Sequence, residues 1–269
     1  MLETYKLEWL LAALLLVVCI GPLPAAGEER EESLESLRQL LAATYVRIPN
    51  EWSETATGVR TRLKTEESVI ALTLDACGSH SGKGYDIGLI DFLEKERVPA
   101  TLFINARWID ANIETFQRLA ANPLFEIANH GLLHRPASVT GRSAYGINGT
   151  RNVAELVDEI EQSARKVAAL TGTRTRYYRS GTAYYDEVAV ELSNHLGHEV
   201  IGYSILGDAG ATFSKDQVRS ALLNARPGDI ALLHMNHPRG ETADGVMSAI
   251  PELRKRGFRF VKLSEYELH

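Results

Sequence analysis

From Val69 to the C-terminus, short apolar runs alternate with longer amphipathic stretches. Val69–Asp75 (VIALTLD), Ala100–Asn105 (ATLFIN) and Phe125–Asn129 read as strands, and Arg176–Arg179, Val200–Ser204, Asp229–His234 and Phe258–Lys262 continue the series. Helices are predicted between them over Asp86–Arg97, Trp108–Ala121, Asn152–Leu170, Asp186–Leu196, Ser214–Asn224 and Thr242–Arg256. Strands that are apolar on both faces belong to a parallel sheet covered by helices. About seven such units suit a closed or nearly closed α/β barrel better than an open doubly wound sheet.

The N-terminus has a different pattern. Trp9 to Ile20 is uninterruptedly apolar and is followed by Gly21, Pro22, Pro24, Ala25 and Ala26. An apolar core of roughly 12 residues falls short of the ~20 that a spanning helix needs, and the small residues after it suit a cleavage region. Residues 1–26 therefore read as a signal peptide or an N-terminal anchor, although Glu3 and Glu8 offset Lys6. Export to the periplasm or the medium is the corresponding expectation. Residues 27–66 read as an extension. In it, Glu28–Thr44 carries leucines at 34, 37, 40 and 41, the spacing of an amphipathic helix, and Gly58–Thr65 reads as an edge strand. Residues 67–269 form the main domain.

Composition narrows the partners. The 269 residues are 45% hydrophobic and 24% charged, with a formal net charge of −6 and no long basic run. Nucleic acid is an unsuitable partner for such a surface, and an anionic membrane is not attracted to it beyond a possible N-terminal anchor. Oligomeric state is not legible. Without residues 1–26, Cys77 is the lone cysteine, so no internal disulfide can form. A lone thiol in an oxidising compartment is a liability unless it is buried as a small hydrophobe or ligates a metal.

Chemically capable residues fall where strands end: Asp75, His130 with His134, Arg179, Asp208 and His234. In a parallel barrel all strand C-termini share one face, so these residues converge there. His130-Gly-Leu-Leu-His134 sets two imidazoles four apart, which on one helical turn places both on the same face, able to hold one metal ion. Each residue also has a plainer explanation: a surface histidine pair, a helix cap for Asp75, a surface ion pair for Arg179.

Leu72-Thr73-Leu74-Asp75, His130-x-x-x-His134, Arg179 and Leu232-Leu233-His234 in this order resemble the motifs of the polysaccharide deacetylases, the carbohydrate esterase group that includes chitooligosaccharide and peptidoglycan deacetylases. The likeness runs from about Val69 to Leu263. It implies a distorted (β/α)7 barrel and a metal-dependent hydrolase that removes N-acetyl groups from a carbohydrate. It assigns Asp75 as general base, His130 and His134 as ligands of a divalent metal, Arg179 as the group orienting the base, and His234 as the acid for the leaving amine. Zinc suits two histidines and a carboxylate, though nickel, cobalt or manganese can occupy similar sites. The chain departs from the family at Ala76, where a second aspartate usually supplies the third ligand. Ser180-Gly181-Thr182 replaces the usual proline and aromatic, and Asp208 alone matches the fourth motif. The third ligand is then expected from Asp75, Cys77, His80 or Asp86, with Asp75 favoured and Asp86 also suited to capping a helix. Two other readings follow: hydrolysis of another carbon–nitrogen bond, in a formylated sugar or cyclic amide, or a carbohydrate-binding protein that has lost catalysis.

Overall fold

The computed structural model describes residues 26–80 and 82–269, with side chains from residue 33 onward. The expected signal segment therefore lies outside the described residues. Among those described, no helix is long and apolar enough to cross a membrane. The chain divides into an N-terminal unit, residues 1–36, and a body, residues 37–269. Helix α1 covers Ala26–Thr44. Within the body, its Leu41 is fully buried, and Arg38 pairs with Asp158 at 2.6 Å.

The body is a curled sheet wrapped in helices. Eight strands share the sheet, and every pairing in it is parallel. Strand β1 (Val69–Ala76) is central, between β2 (Ala100–Ile104) and β9 (Asp229–His234). Beyond β2 lie β3 (Phe125–Asn129), β6 (Tyr177–Tyr178) and β7 (Glu199–Val200). Beyond β9 lies β8 (Ile205–Leu206), and β10 (Arg259–Val261) pairs with the start of β1. The gap between β7 and β9 is bridged by the segment expected as an edge strand. Arg60 pairs with Ile201 and Arg62 with Asp229, and the Arg62 guanidinium reaches the Asp229 carboxylate. This is the distorted (β/α)7 barrel that the motifs imply.

Strand alternation divides the core into two layers. Even-numbered residues of β1 (Ile70, Leu72, Leu74, Ala76) join the larger cluster, packed with Leu89, Trp108 and Val246 of the helices. Odd-numbered Val69 and Ala71 face inward with Phe103, Tyr177 and Ile230. Further along the inner face come Thr73 and Asp75, both buried and polar. The interior thus turns from hydrocarbon to chemistry toward the C-terminal ends of the strands.

The helices begin where local chemistry lets them. Asp86 caps α2 (Ile87–Lys95) by accepting from the Leu89 amide. Asn152 caps α5 (Val153–Thr171) through the Glu155 amide, and Gly172, at φ 73°, ends it. Each such cap satisfies a donor or carbonyl that helix geometry leaves unpaired. The helix expected over Trp108–Ala121 is two, α3 (Ala106–Ala111) and α4 (Ile113–Ala121), separated by Asn112 at ψ 42°. A hairpin of β4 (Ser143–Ala144) and β5 (Ile147–Asn148), each too short to show a period, adds to the elements the hydropathy pattern predicts.

Candidate metal centre and active site

Asp75 ends the inner face of β1, and its register partner on β9 is His234. Its carboxylate accepts from Arg179 Nη1 at 2.7 Å. Arg179 is fully buried and also donates to the Thr73 hydroxyl and the carbonyls of Ile201 and Gly202. Its guanidinium lies 4.2 Å over the Phe103 ring. A buried guanidinium with all three of its nitrogens hydrogen-bonded is a rigid clamp on the Asp75 carboxylate.

His130 follows β3 directly. Its Nδ1 is 2.9 Å from the Arg179 carbonyl, which fixes the tautomer and leaves Nε2 as the ligating atom, as is usual for metal-binding histidines. Nε2 sits 3.5 Å from an Asp75 oxygen and 3.8 Å from Cys77 Sγ. The imidazole rings of His130 and His134 meet edge to face at 4.9 Å.

The two histidines do meet, but not on a helical turn. Residues 130–136 form a loop, and its shape is imposed by Glu159 of α5. That carboxylate accepts from the amides of Leu133 and Arg135, while Asn129 accepts from Gly131. A Cβ at Gly131 would lie 2.4 Å from Glu159, and the residue has φ 77°. Gly181 explains one departure from the resembling family. A Cβ there would fall 2.3 Å from the His134 backbone, so only glycine lets the loop close over the site.

The candidate ligand group is Cys77, His130 and His134, whose donor atoms all lie within 4.8 Å of one another. Asp75, the favoured third ligand, is not in this group; Arg179 holds one of its oxygens at 2.7 Å, and the other lies 3.5 Å from His130 Nε2. His80 is exposed and Asp86 is engaged as a helix cap. Cys77 takes the place in this candidate group that the favoured reading gave to Asp75, and strand geometry gives the signal. Side chains alternate along a strand, so residue 77 continues the face of Asp75, whereas Ala76 points into the helix-facing hydrocarbon. Burial raises the pKa of the Cys77 thiol, but the charge of His134 and hydrogen bonds from His130, His134 and His234 outweigh it. They hold the thiol well below its usual range. A thiolate with two imidazoles is a donor set that suits a borderline-soft divalent ion with one position left open.

His234 is the second acid–base group, and its side chain is mostly buried. Its Nδ1 is 2.8 Å from Asp208 Oδ1. The other Asp208 oxygen accepts from the His234 amide and the Thr242 hydroxyl. Burial works against the imidazolium, but Asp208 outweighs it and raises His234 well above the usual imidazole range. His237 lines the same cavity, whose volume is about 650 Å³ and whose walls also include Asp75, Cys77, His134 and His234. Tyr185 is core: it is fully buried, and its hydroxyl accepts from the Ser180 amide.

Several known proteins share this arrangement of chain. The peptidoglycan-N-acetylmuramic acid deacetylase PdaA of Bacillus subtilis is 23% identical over 209 residues, covering 75% of this chain and 72% of that protein. A chitooligosaccharide deacetylase of a Bradyrhizobium strain is 27% identical over 191 residues, covering 66% and 82%. Among solved structures, a carbohydrate esterase family 4 pseudoenzyme of Bacillus anthracis superposes with a TM-score of 0.61 at 18% identity, over 77% of this chain and 67% of that one. The family model described as polysaccharide deacetylase matches residues 62–201, the stretch that carries β1, the histidine loop and the Arg179 clamp. This chain belongs to the polysaccharide deacetylase family.

Proposed function

We propose that the protein is a metal-dependent hydrolase that removes acetyl groups from an amino sugar of a glycan. The observation that carries this reading is the meeting, in one cavity, of a thiol–imidazole ligand group with two separately held acid–base residues. Cys77, His130 and His134 would hold the ion; zinc fits such a set. Bound there, a divalent ion polarises an acyl carbonyl and lowers the pKa of a water molecule. Asp75 is fixed by Arg179 through one oxygen, which leaves the other to accept a proton from the attacking water. His234 is held by Asp208 through Nδ1, so Nε2 is the atom that gives a proton to the leaving amine. This division of roles needs a carboxylate that stays ionised and an imidazole that stays protonated near neutral pH. The apolar segment at residues 9–20 and the small residues after it support export as the setting.

A second reading has its own support. Ala76 stands where the family commonly has a carboxylate, and the barrel is similar to one described as a pseudoenzyme. On that reading the cavity binds a glycan without cleaving it.

Elemental analysis of the purified protein, together with acetate release from a panel of acetylated glycans and formate release from formylated ones, separates the readings. Bound metal near one equivalent with acetate release supports hydrolysis, and Asp75→Asn or His234→Ala should then lower turnover by ~100-fold or more. Glycan binding with neither metal nor acetate would leave the binding-only reading. Formate release alone would point to the other carbon–nitrogen bond.

A further inference from the structure

The cavity has a wall that the metal centre does not use. Glu54, from the segment ahead of the family-matched region, turns its carboxylate to the cavity beside Tyr145 and Tyr203. One oxygen accepts from the Tyr145 hydroxyl at 2.8 Å and the other from Tyr203 at 2.7 Å. The Glu54 backbone is anchored next door, where Ser53 and Tyr185 exchange amide–carbonyl bonds at 3.0 and 3.1 Å. Three separate parts of the chain therefore converge on one carboxylate: the extension, the β4–β5 hairpin and the loop after β7.

Tyr145 carries a second, independent signal. It and Gly146 form the two-residue turn of the hairpin, with φ of 52° and 75°. Turns with both central residues left-handed favour asparagine or aspartate followed by glycine. A bulky residue in the first position is conformationally costly, and such outliers concentrate where they serve a ligand. The ring is 73% exposed at the mouth of the cavity, beside Ile147 at 36% and Leu206 at 41%. Behind it, Tyr184 packs edge to face at 5.5 Å, and Trp52 lies 5.6 Å beyond Tyr184. An apolar ring face with a hydroxyl tip and a neighbouring carboxylate matches a pyranose, which offers a C–H face and a rim of hydroxyl donors.

We propose that Glu54, Tyr145 and Tyr203 form a sugar subsite adjoining the metal centre, selecting glycans of two or more linked, uncharged sugars over single sugars. The inference rests on the glycan-directed reading of the site. Uncharged sugars follow from the lining: among the described residues it contains the carboxylates of Glu54 and Asp75 and no lysine or arginine. An acidic sugar in the adjoining position would face the Glu54 carboxylate with no lysine or arginine of the lining beside it to offset the repulsion.

The test is calorimetric titration of the full chain with N-acetylglucosamine, its β-1,4-linked tetramer, and a tetramer in which alternate sugars bear a carboxylate. Acetate release is followed in parallel. The wild type should bind the neutral tetramer at least about tenfold more tightly than the monomer or the acidic tetramer. Glu54→Gln and Tyr145→Ala, each checked for an unchanged melting temperature, should reduce that preference for the tetramer to near unity. Tyr145→Phe retains the ring and should retain most of it. Equal affinity of the wild type for monomer and tetramer, or an undiminished preference in both variants, would overturn the subsite. A lost preference in the variants with no acetate released by the wild type would support the subsite and refute hydrolysis.

Discussion

Sγ of Cys77 lies 3.8 Å from Nε2 of His130, one residue past the alanine that takes the place of the family's usual carboxylate. The neighbouring Ala76 faces the opposite way, into a cluster with Leu74, Leu89 and Trp108. On the proposed reading, the chain has moved its donor by one position and exchanged a hard oxygen for a soft sulfur.

Cys77→Ser should therefore weaken metal binding by more than about tenfold, the low end of what loss of even an outer-sphere partner costs. Ala76→Asp should not tighten it, because its carboxylate would be buried in hydrocarbon, and the melting temperature should fall. Chelator competition and thermal melts of both variants provide the check. A tenfold gain of affinity in Ala76→Asp would show that the site lacks its third ligand.

Removing the clamp should damage stability as well as activity. Arg179→Met leaves the Asp75 carboxylate buried without its 2.7 Å partner. Breaking such a pair costs about 3–5 kcal/mol. Asp75→Asn in the same chain should recover part of that loss in urea unfolding, since the stranded charge is gone. Additive losses from the two substitutions would mean that the pair is not coupled.

The pH profile of kcat/KM should depend on Asp208. His234 has its pKa raised in the folded protein despite burial, chiefly by Asp208. In the proposed role of proton donor it serves below that raised pKa, so activity should be lost as pH rises through it. Asp208→Asn removes the charge, so the alkaline limb should move to lower pH by about 1–3 units. An unmoved limb would assign it to another group.

His198 gives a stability prediction of opposite sign. Burial, followed by the Arg174 charge, pushes its pKa from 6.5 to about 4. The folded chain keeps this imidazole neutral while the unfolded chain protonates it. Its contribution is therefore intact above pH 6.5 and is lost as pH falls toward 4. The shift corresponds to at most about 3 kcal/mol. Urea unfolding of His198→Leu should show a shallower acid loss than the wild type over that window, and parallel curves would refute the assignment.

The sequence by itself determined the barrel. Runs such as VIALTLD and ATLFIN can be buried on both faces only in a helix-covered parallel sheet, and the bounds of Phe125–Asn129 and Asp229–His234 follow from that pattern alone. It also placed Asp75, His130, His134, Arg179 and His234 at strand ends, because polar side chains interrupt apolar runs there. The side-chain alternation that aims Cys77 with Asp75, and Ala76 away, was equally present in the sequence, since it needs only the strand period. Other features had no local signal. The histidine loop takes its shape from Glu159, at sequence positions well removed from it. Short strands such as β8 have too few residues to show a period. Glu54, Tyr145 and Tyr203 are ordinary surface residues until the curled sheet brings their segments to one cavity. Only the tertiary structure decided those contacts, because hydrogen bonds between residues 91 and 149 positions apart depend on how the whole sheet closes, not on any local preference of the chain.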